Sequence, residues 1–395
     1  MRIVLIADKY LPSKSSSAIQ LRDLGREFVR QGHSITLLVP STQRVPWVLD
    51  ETDGIQVLRL NAPLTIDLGY VRRALSELAM PYIMLENFRK SPLSCEHWNG
   101  VVWYSPSIFF GPIVKELKKN SDCKGYLIIR DIFPQWALDL GLINKGPVYW
   151  FFTLAARYQY SVADVIGVQS PGNLRYFDRW QEKSGRKLEV LHNWLDNPAQ
   201  ARCPIRIGNT SLADRKIFIY AGNMGVAQNM DIILHLAEQL RTRKDVGFLL
   251  IGRGSESTRL KSSVISLKLD NVLIYDEIHP DEIPDLYAQC SAGIISLDSR
   301  HKTHNIPGKF LTYMQCGLPV LANVNPGNDI VKIISDARVG QVCENNTVEN
   351  LVQLALKLLE QIEQDIELSI RCRRLFQKEF TVDKAVRQII AALSP

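Results

Sequence analysis

Long apolar runs are missing from this chain of 395 residues. The first, Ile3–Ala7, ends at Asp8, too short for the apolar region of a secretion signal and far too short to span a bilayer. The longest later stretch, Tyr149 to Tyr158, is rich in aromatics and is broken by Arg157. A cytoplasmic protein is therefore expected, neither secreted by such a signal nor anchored by a helix. Paired cysteines are missing too. Cys95, Cys123, Cys203, Cys290, Cys316, Cys343 and Cys372 are scattered and odd in number, with no C-x-x-C spacing. That argues against a disulfide framework or a zinc site and for reduced thiols. No G-x-G-x-x-G follows the first strand, which disfavours a dinucleotide-dependent oxidoreductase. Helix-turn-helix, zinc-finger and aromatic RNA-binding signatures are lacking, so nucleic acid is not an expected partner. Charge of one sign is only slightly in excess, with 47 Lys and Arg against 41 Asp and Glu. That excess suits a polyanion, a phosphosugar or an anionic membrane equally.

What is present is the composition of a soluble globular protein, 46% hydrophobic and 22% charged. The length suits two domains of about 150–200 residues. In the first half, short uninterrupted apolar segments alternate with helical ones. Ile3–Ala7 reads as a strand covered on both faces, and Ser17–Gln31 as a helix with Leu21, Leu24 and Phe28 in helical register, stopped by Gly32. Ser34–Val39 completes a β-α-β unit, and further strands are expected at 55–60, 101–104, 126–129, 165–168 and 188–191. The pattern restarts with strands at 217–221, 247–252, 272–275, 293–297 and 319–322 and helices at 230–240, 284–290 and 308–316, ending in helices from 347 to 393. This alternation specifies an α/β fold of two doubly wound parallel sheets, 1–196 and 214–395. A proline-containing linker is expected at 197–213, with the last helix a candidate for returning to the first domain. Ligands in such folds bind beyond the carboxyl ends of the strands, so a cleft between the two loop sets is the expected site.

Two loops carry chemistry. Asp8 to Ser17 leads into the first helix, where Ser16 and Ser17 suit a helix cap and an anion-facing N-terminus. The segment from Asn305 to Asp329 is the stronger signal. Pro307 suits the first position of a helix, Gly317 its end, and Gly308 and Lys309 then sit at the positive helix terminus. Backbone donors, dipole and cation converge there on a diphosphate.

This segment resembles the donor-binding stretch of retaining glycosyltransferase family 4, whose members adopt the GT-B fold. Gly32-His33, Leu191-His192-Asn193-Trp194-Leu195-Asp196, Tyr220 to Gly225 and Ile251-Gly252-Arg253-Gly254 resemble further elements of that family in the same order. Tyr104 to Ser107, Arg130 to Trp136 and Gln169 to Asn173 resemble the bacterial O-antigen branch, which includes transferases of N-acetyl-L-fucosamine. The resemblance implies a UDP-sugar donor and an undecaprenyl-diphosphate-linked saccharide acceptor at the inner membrane, hence a peripheral membrane protein, with no cofactor and no metal. It also implies front-face transfer, in which the diphosphate itself accepts the acceptor's proton. Donor contacts are expected from Gly222, Asn223, Arg253, Pro307, Gly308, Lys309 and Thr312. The chain departs from the family where His304 and Thr312 stand in place of two glutamates, and where Gln228 stands near the usual clamp lysine.

Sugar transfer requires that the leaving diphosphate be charge-stabilised and the acceptor hydroxyl be deprotonated. No Asp-x-Asp pair offers a metal site, so Lys309 and Arg253 are the candidate cations. Asp131 and His304 are the candidate catalytic groups. Ser16, Ser17, Arg130, Asn325, Asn328 and Asp329 are candidates for the acceptor side or the sugar loop. His33 reads as structural. Arg72, Arg73, Arg89 and Lys90 flank an apolar stretch with Met80, Tyr82, Ile83 and Met84, which suits either an anionic membrane or a solvated face over the core. Two other classes stay open: a UDP-N-acetylglucosamine 2-epimerase-like enzyme and a noncatalytic GT-B binding protein.

Overall fold

The computed structural model describes residues 1–13, 15–65, 68–197, 201–300 and 302–394. The expected loop residue Lys14 and the linker residues 198–200 lie outside them. Two compact units emerge, Met1–Asp196 together with the terminal segment from Val382, and Asn197–Thr381.

The first unit contains β1 (Arg2–Ile6), α1 (Ser16–Arg30), β2 (Ser34–Ser41), β3 (Trp47–Thr52), β4 (Ile55–Asn61), α2 (Tyr70–Arg89), β5 (Gly100–Tyr104), α3 (Gly111–Ser121), β6 (Lys124–Ile129), α4 (Gln135–Asp139), α5 (Pro147–Ser161), β7 (Val165–Val168), α6 (Asp178–Gln181) and β8 (Lys187–Val190). Its sheet runs β3-β4-β2-β1-β5-β6-β7-β8. All pairs are parallel except β3 with β4. β1 explains why no polar residue interrupts it. Ile3 and Leu5 face one core layer with Leu21, Leu24 and Phe28 of α1, while Val4 and Ile6 face the other with Met84, Phe88 and Ile113.

The second unit contains β9 (Lys216–Ala221), α7 (Asp231–Gln239), β10 (Val246–Ile251), α8 (Ser257–Ser266), β11 (Val272–Tyr275), α9 (Ile283–Tyr287), β12 (Ala292–Ser296), α10 (Gly308–Cys316), β13 (Val320–Asn323), α11 (Asp329–Ala337), β14 (Gly340–Cys343), α12 (Val348–Gln364) and α13 (Leu368–Glu379). Its sheet is wholly parallel, in the order β11-β10-β9-β12-β13-β14. Read in chain order this is the 3-2-1-4-5-6 winding of dinucleotide-binding sheets, with its switch point between β9 and β12.

The last helix, α14 (Val382–Leu393), belongs to the first unit. Val386, Ile389 and Leu393 enter its core, and Gln388 donates to the Val190 carbonyl at 2.8 Å. The stretch 201–213 is not a free connector. The Cys203 amide donates to Asp285 at 2.8 Å and the Ile207 amide to Gln289 at 3.0 Å, which binds it to α9 within the second unit.

Candidate functional site

At the switch point of the second unit the loop after β9 meets the N-terminus of α10. Three glycines make the approach possible. Gly222, Gly252 and Gly254 adopt φ of +142°, +151° and +155°. A Cβ on Gly252 would stand 1.8 Å from the Gly222 carbonyl oxygen, and one on Gly254 would stand 2.2 Å from that of Met224. Only glycine lets these two loop backbones pass so closely. The loop is then fixed by its own side chains. Gln228 accepts from the Gly225 amide and from Asn223, both at 3.1 Å, and the Tyr220 hydroxyl donates to the Asn223 carbonyl at 2.5 Å. Gln228 therefore staples the loop and stands in for no clamp lysine.

Helix α10 is held against the switch point by Tyr313. Its hydroxyl donates to the carbonyls of Ile219 in β9 and Ile294 in β12, at 3.0 and 3.2 Å. Gly293 leaves room for the ring, since a Cβ there would lie 2.5 Å from it. Pro307 is the N-cap of α10, with extended backbone, and Gly308 takes the first helical position expected for the proline. Neither the Gly308 nor the Lys309 amide has an acceptor among the described residues, as helix geometry dictates for a first turn. Gly317 closes the helix at φ +76°.

Lys309 reaches across this space. Its ammonium lies 3.6 Å from the centroid of the Tyr220 ring and about as close to Gly222 as the glycine permits, 3.4 Å from the position of an added Cβ. It has no ion-pair partner among the described residues. Loss of water pulls its pKa from the ordinary 10.5 down to about 7. An unneutralised cation, a pair of free amides and a helix dipole thus share one place.

The other expected donor residues behave differently. Arg253 is exposed and ion-paired with Glu277 at 2.9 Å. The Thr312 hydroxyl bonds back to the Gly308 carbonyl at 3.4 Å, within its own helix. Asn325 and Asn328 are buried and bonded to each other at 2.9 Å, and Asn328 caps α11 through the Ile330 amide. These bonds hold the shape of the loop. Asp329, at the start of α11, instead faces His304, with Nδ1 and carboxylate oxygen 3.2 Å apart. The sequence named both residues but gave no sign of their pairing, because it depends on two loops from neighbouring strands.

In the first unit, Ser15 rather than Ser16 or Ser17 caps α1, accepting from the Ala18 amide at 3.3 Å. Ser17 bonds Ser15 at 3.1 Å and Ser16 is exposed. Arg130 does not project into a loop. It is buried, with its guanidinium 4.2 Å from the Trp194 ring centroid, and it donates to the Leu191 carbonyl. Burial lowers its pKa. Asp131, just past β6, has its carboxyl pushed up by burial against the opposing pull of Arg130. Asp8, just past β1, is likewise raised by burial, with Lys9 opposing. His33 bonds the terminal amine at 3.0 Å, a structural contact. Among the described residues no group of three His, Cys, Asp or Glu side chains gathers as metal ligands, and no helix is long and apolar enough to cross a membrane.

Two doubly wound α/β units, each on a largely parallel sheet, define the GT-B class, and solved structures agree on the fold. Sucrose-phosphate synthase from Thermosynechococcus elongatus superposes with a TM-score of 0.75 at 15% identity, over 99% of this chain and 97% of that one. Anabaena Alr3699/HepE in complex with UDP gives 0.69 at 14%, over 100% and 99%. Within that class, residues 215–361 match the family of glycosyl transferases group 1. WcaI of Escherichia coli K12, named as a colanic acid biosynthesis glycosyl transferase, is 21% identical over 266 residues. That match spans 62% of this chain and 60% of the relative's length.

Proposed function

We propose that this chain is a glycosyltransferase that takes its sugar from a nucleotide diphosphate donor held on the second unit. The unpartnered Lys309 at the N-terminus of α10, over Tyr220 and against Gly222, carries this reading. When the glycosidic bond breaks, negative charge grows on the departing phosphate. Lys309 and the Gly308 and Lys309 amides are fixed where that charge would develop, so they need not reorganise. The approach of an anion raises the lysine's pKa again and holds it protonated. His304, oriented through Nδ1 by Asp329, presents its other ring nitrogen to the transferred sugar.

The finer assignment is a UDP-linked, N-acetylated amino sugar such as N-acetyl-L-fucosamine, transferred with retention and without metal. The acceptor is a saccharide on undecaprenyl diphosphate, for surface polysaccharide. The UDP complex of a structural neighbour and the colanic acid relative support this direction. Asp131 is the candidate polar group on the acceptor side.

Calorimetric titration with UDP, GDP and UDP-N-acetyl amino sugars in metal-free buffer tests the proposal. Selective UDP binding, tightened by one sugar, is the expected result. Binding of GDP alone would overturn the donor assignment. Absence of nucleotide binding by folded protein would overturn the transferase reading, and sugar epimerisation without an acceptor would replace it.

A further inference from the structure

Helix α5 is apolar on the side where a surface helix is normally polar. Its inner side is accounted for by buried Ala156 and Gln159, with Phe152 packed beside Ile108 and Phe109. Its outer stripe carries Trp150, Phe151, Leu154 and Tyr158 at helical spacing, with Trp150 54% and Leu154 64% exposed. Helix α2 repeats the feature. Leu75, Leu78 and Tyr82 follow i, i+3, i+7 on one stripe, Leu75 and Tyr82 being 61% and 57% exposed. The two helices both pack on α3, and the Tyr158 phenol, whose pKa is raised by burial, is raised further by Tyr82. Single exposed apolar residues need no explanation, but a stripe on each of two neighbouring helices does.

The charges around it point to one kind of occupant. Residues 140–161 contain no acidic side chain, only Lys145 and Arg157. Arg73, Arg89 and Lys90 of the α2 region are neutralised by Glu77, Glu116 and Glu86. Arg72, Lys145 and Arg157 have no ion-pair partner among the described residues. Tryptophan and tyrosine prefer the water–hydrocarbon boundary, with cations beside them reaching anionic headgroups. At 15 residues α5 spans about 22 Å, too short to cross a bilayer but long enough to lie in its surface.

We infer that the outer stripes of α5 and α2 dock the first unit on an anionic bilayer, with Trp150 and Leu154 inserted among the acyl chains and Arg72, Lys145 and Arg157 at the headgroups. The inference rests on this surface alone and is independent of the nucleotide site. Flotation of the full chain with vesicles of equal parts phosphatidylglycerol and phosphatidylcholine tests it, against vesicles of phosphatidylcholine only. The intact protein should float with the anionic vesicles and much less with the neutral ones. Trp150→Glu and Leu154→Glu should each lower the partition at least about tenfold. Arg157→Ala should lower it about fivefold, as one cation near an anionic surface is worth. A cooperative thermal melt matching that of the intact protein checks the fold of each variant separately. Failure of the intact protein to float would overturn the inference, as would unchanged flotation of Trp150→Glu. A concentration-dependent dimer abolished by Trp150→Glu would also overturn it, assigning the face to a second copy of the chain.

Discussion

The two units share one winding, yet their switch points are furnished in opposite ways. In the second, Lys309 stands without a counter-ion over an aromatic ring, facing a loop thinned by glycines. In the first, the cation is Arg130, buried under Trp194 and beside Asp131, and the nearby acids Asp8 and Asp131 are pushed toward their neutral forms. The same topology therefore yields one end with a bare cation and another with a shielded cation beside acids shifted toward neutrality. The chemistry follows from what each strand end carries, and not from the fold they have in common.

The largest effect should come from removing the unpaired cation. Lys309→Ala should slow sugar transfer about 100-fold, as loss of one donor to a developing charge does. Arg253→Ala, which removes a cation already held by Glu277, should change turnover by less than about fivefold, because an exposed pair contributes at most about 1 kcal/mol. Equal losses in steady-state assays of the two variants would erase the distinction between them. Next is the acid on the other unit. Asp131→Asn should reduce kcat by about tenfold to 100-fold while leaving the UDP dissociation constant unchanged. A variant defective only in UDP affinity would move Asp131 away from the acceptor side. His304→Ala should cost about tenfold to 100-fold in kcat, and Asp329→Asn less, about tenfold, since it misorients the ring without removing it.

The pH dependence gives the finest test. Lys309 titrates near 7 in the folded chain against an ordinary 10.5. The unfolded chain thus holds this proton more tightly. This residue's contribution to stability rises with pH between about 7 and 10.5 and carries its full penalty below 7. A bound diphosphate reverses the shift. UDP binding above pH 7 should therefore take up as much as one proton and weaken by at most about tenfold per pH unit. Calorimetry in buffers of different ionisation enthalpy measures the uptake, and in Lys309→Ala it should vanish.

Much of this arrangement was legible in the residues. The α10 segment could be read from end to end because its punctuation is local: proline before it, Gly317 after it, and apolar residues at helical spacing between. Most parallel strands were legible as short apolar runs, β7 and β10 carrying no polar side chain at all, whereas β14, four residues with Gln341 among them, was not. β3 was not either, being a half-exposed antiparallel edge strand whose apolar residues stop after Trp47, Val48 and Leu49. Its signal lay in Asp53-Gly54, both at positive φ, the turn that joins β3 to β4. The place of Lys309 in the first turn of α10 was legible from that same punctuation. Tyr220 beneath it and the pairing of His304 with Asp329 were not, since neither partner is near in sequence. The mutual hydrogen bond of Asn325 and Asn328 and the capping of α11 were likewise not legible, since an amide-rich loop does not announce which of its side chains bond to one another.

Helix α14 sets an order on how the molecule comes into being. A ribosome delivers β1 first, yet the layer beneath it lacks Val386, Ile389 and Leu393 until the final stretch has been made. The second unit has all its strands in hand before that point. It can close while the older, N-terminal unit waits with that sheet face covered only in part, by α1. The half made first is thus the half finished last, and an interrupted synthesis would leave a completed sheet attached to an unfinished one.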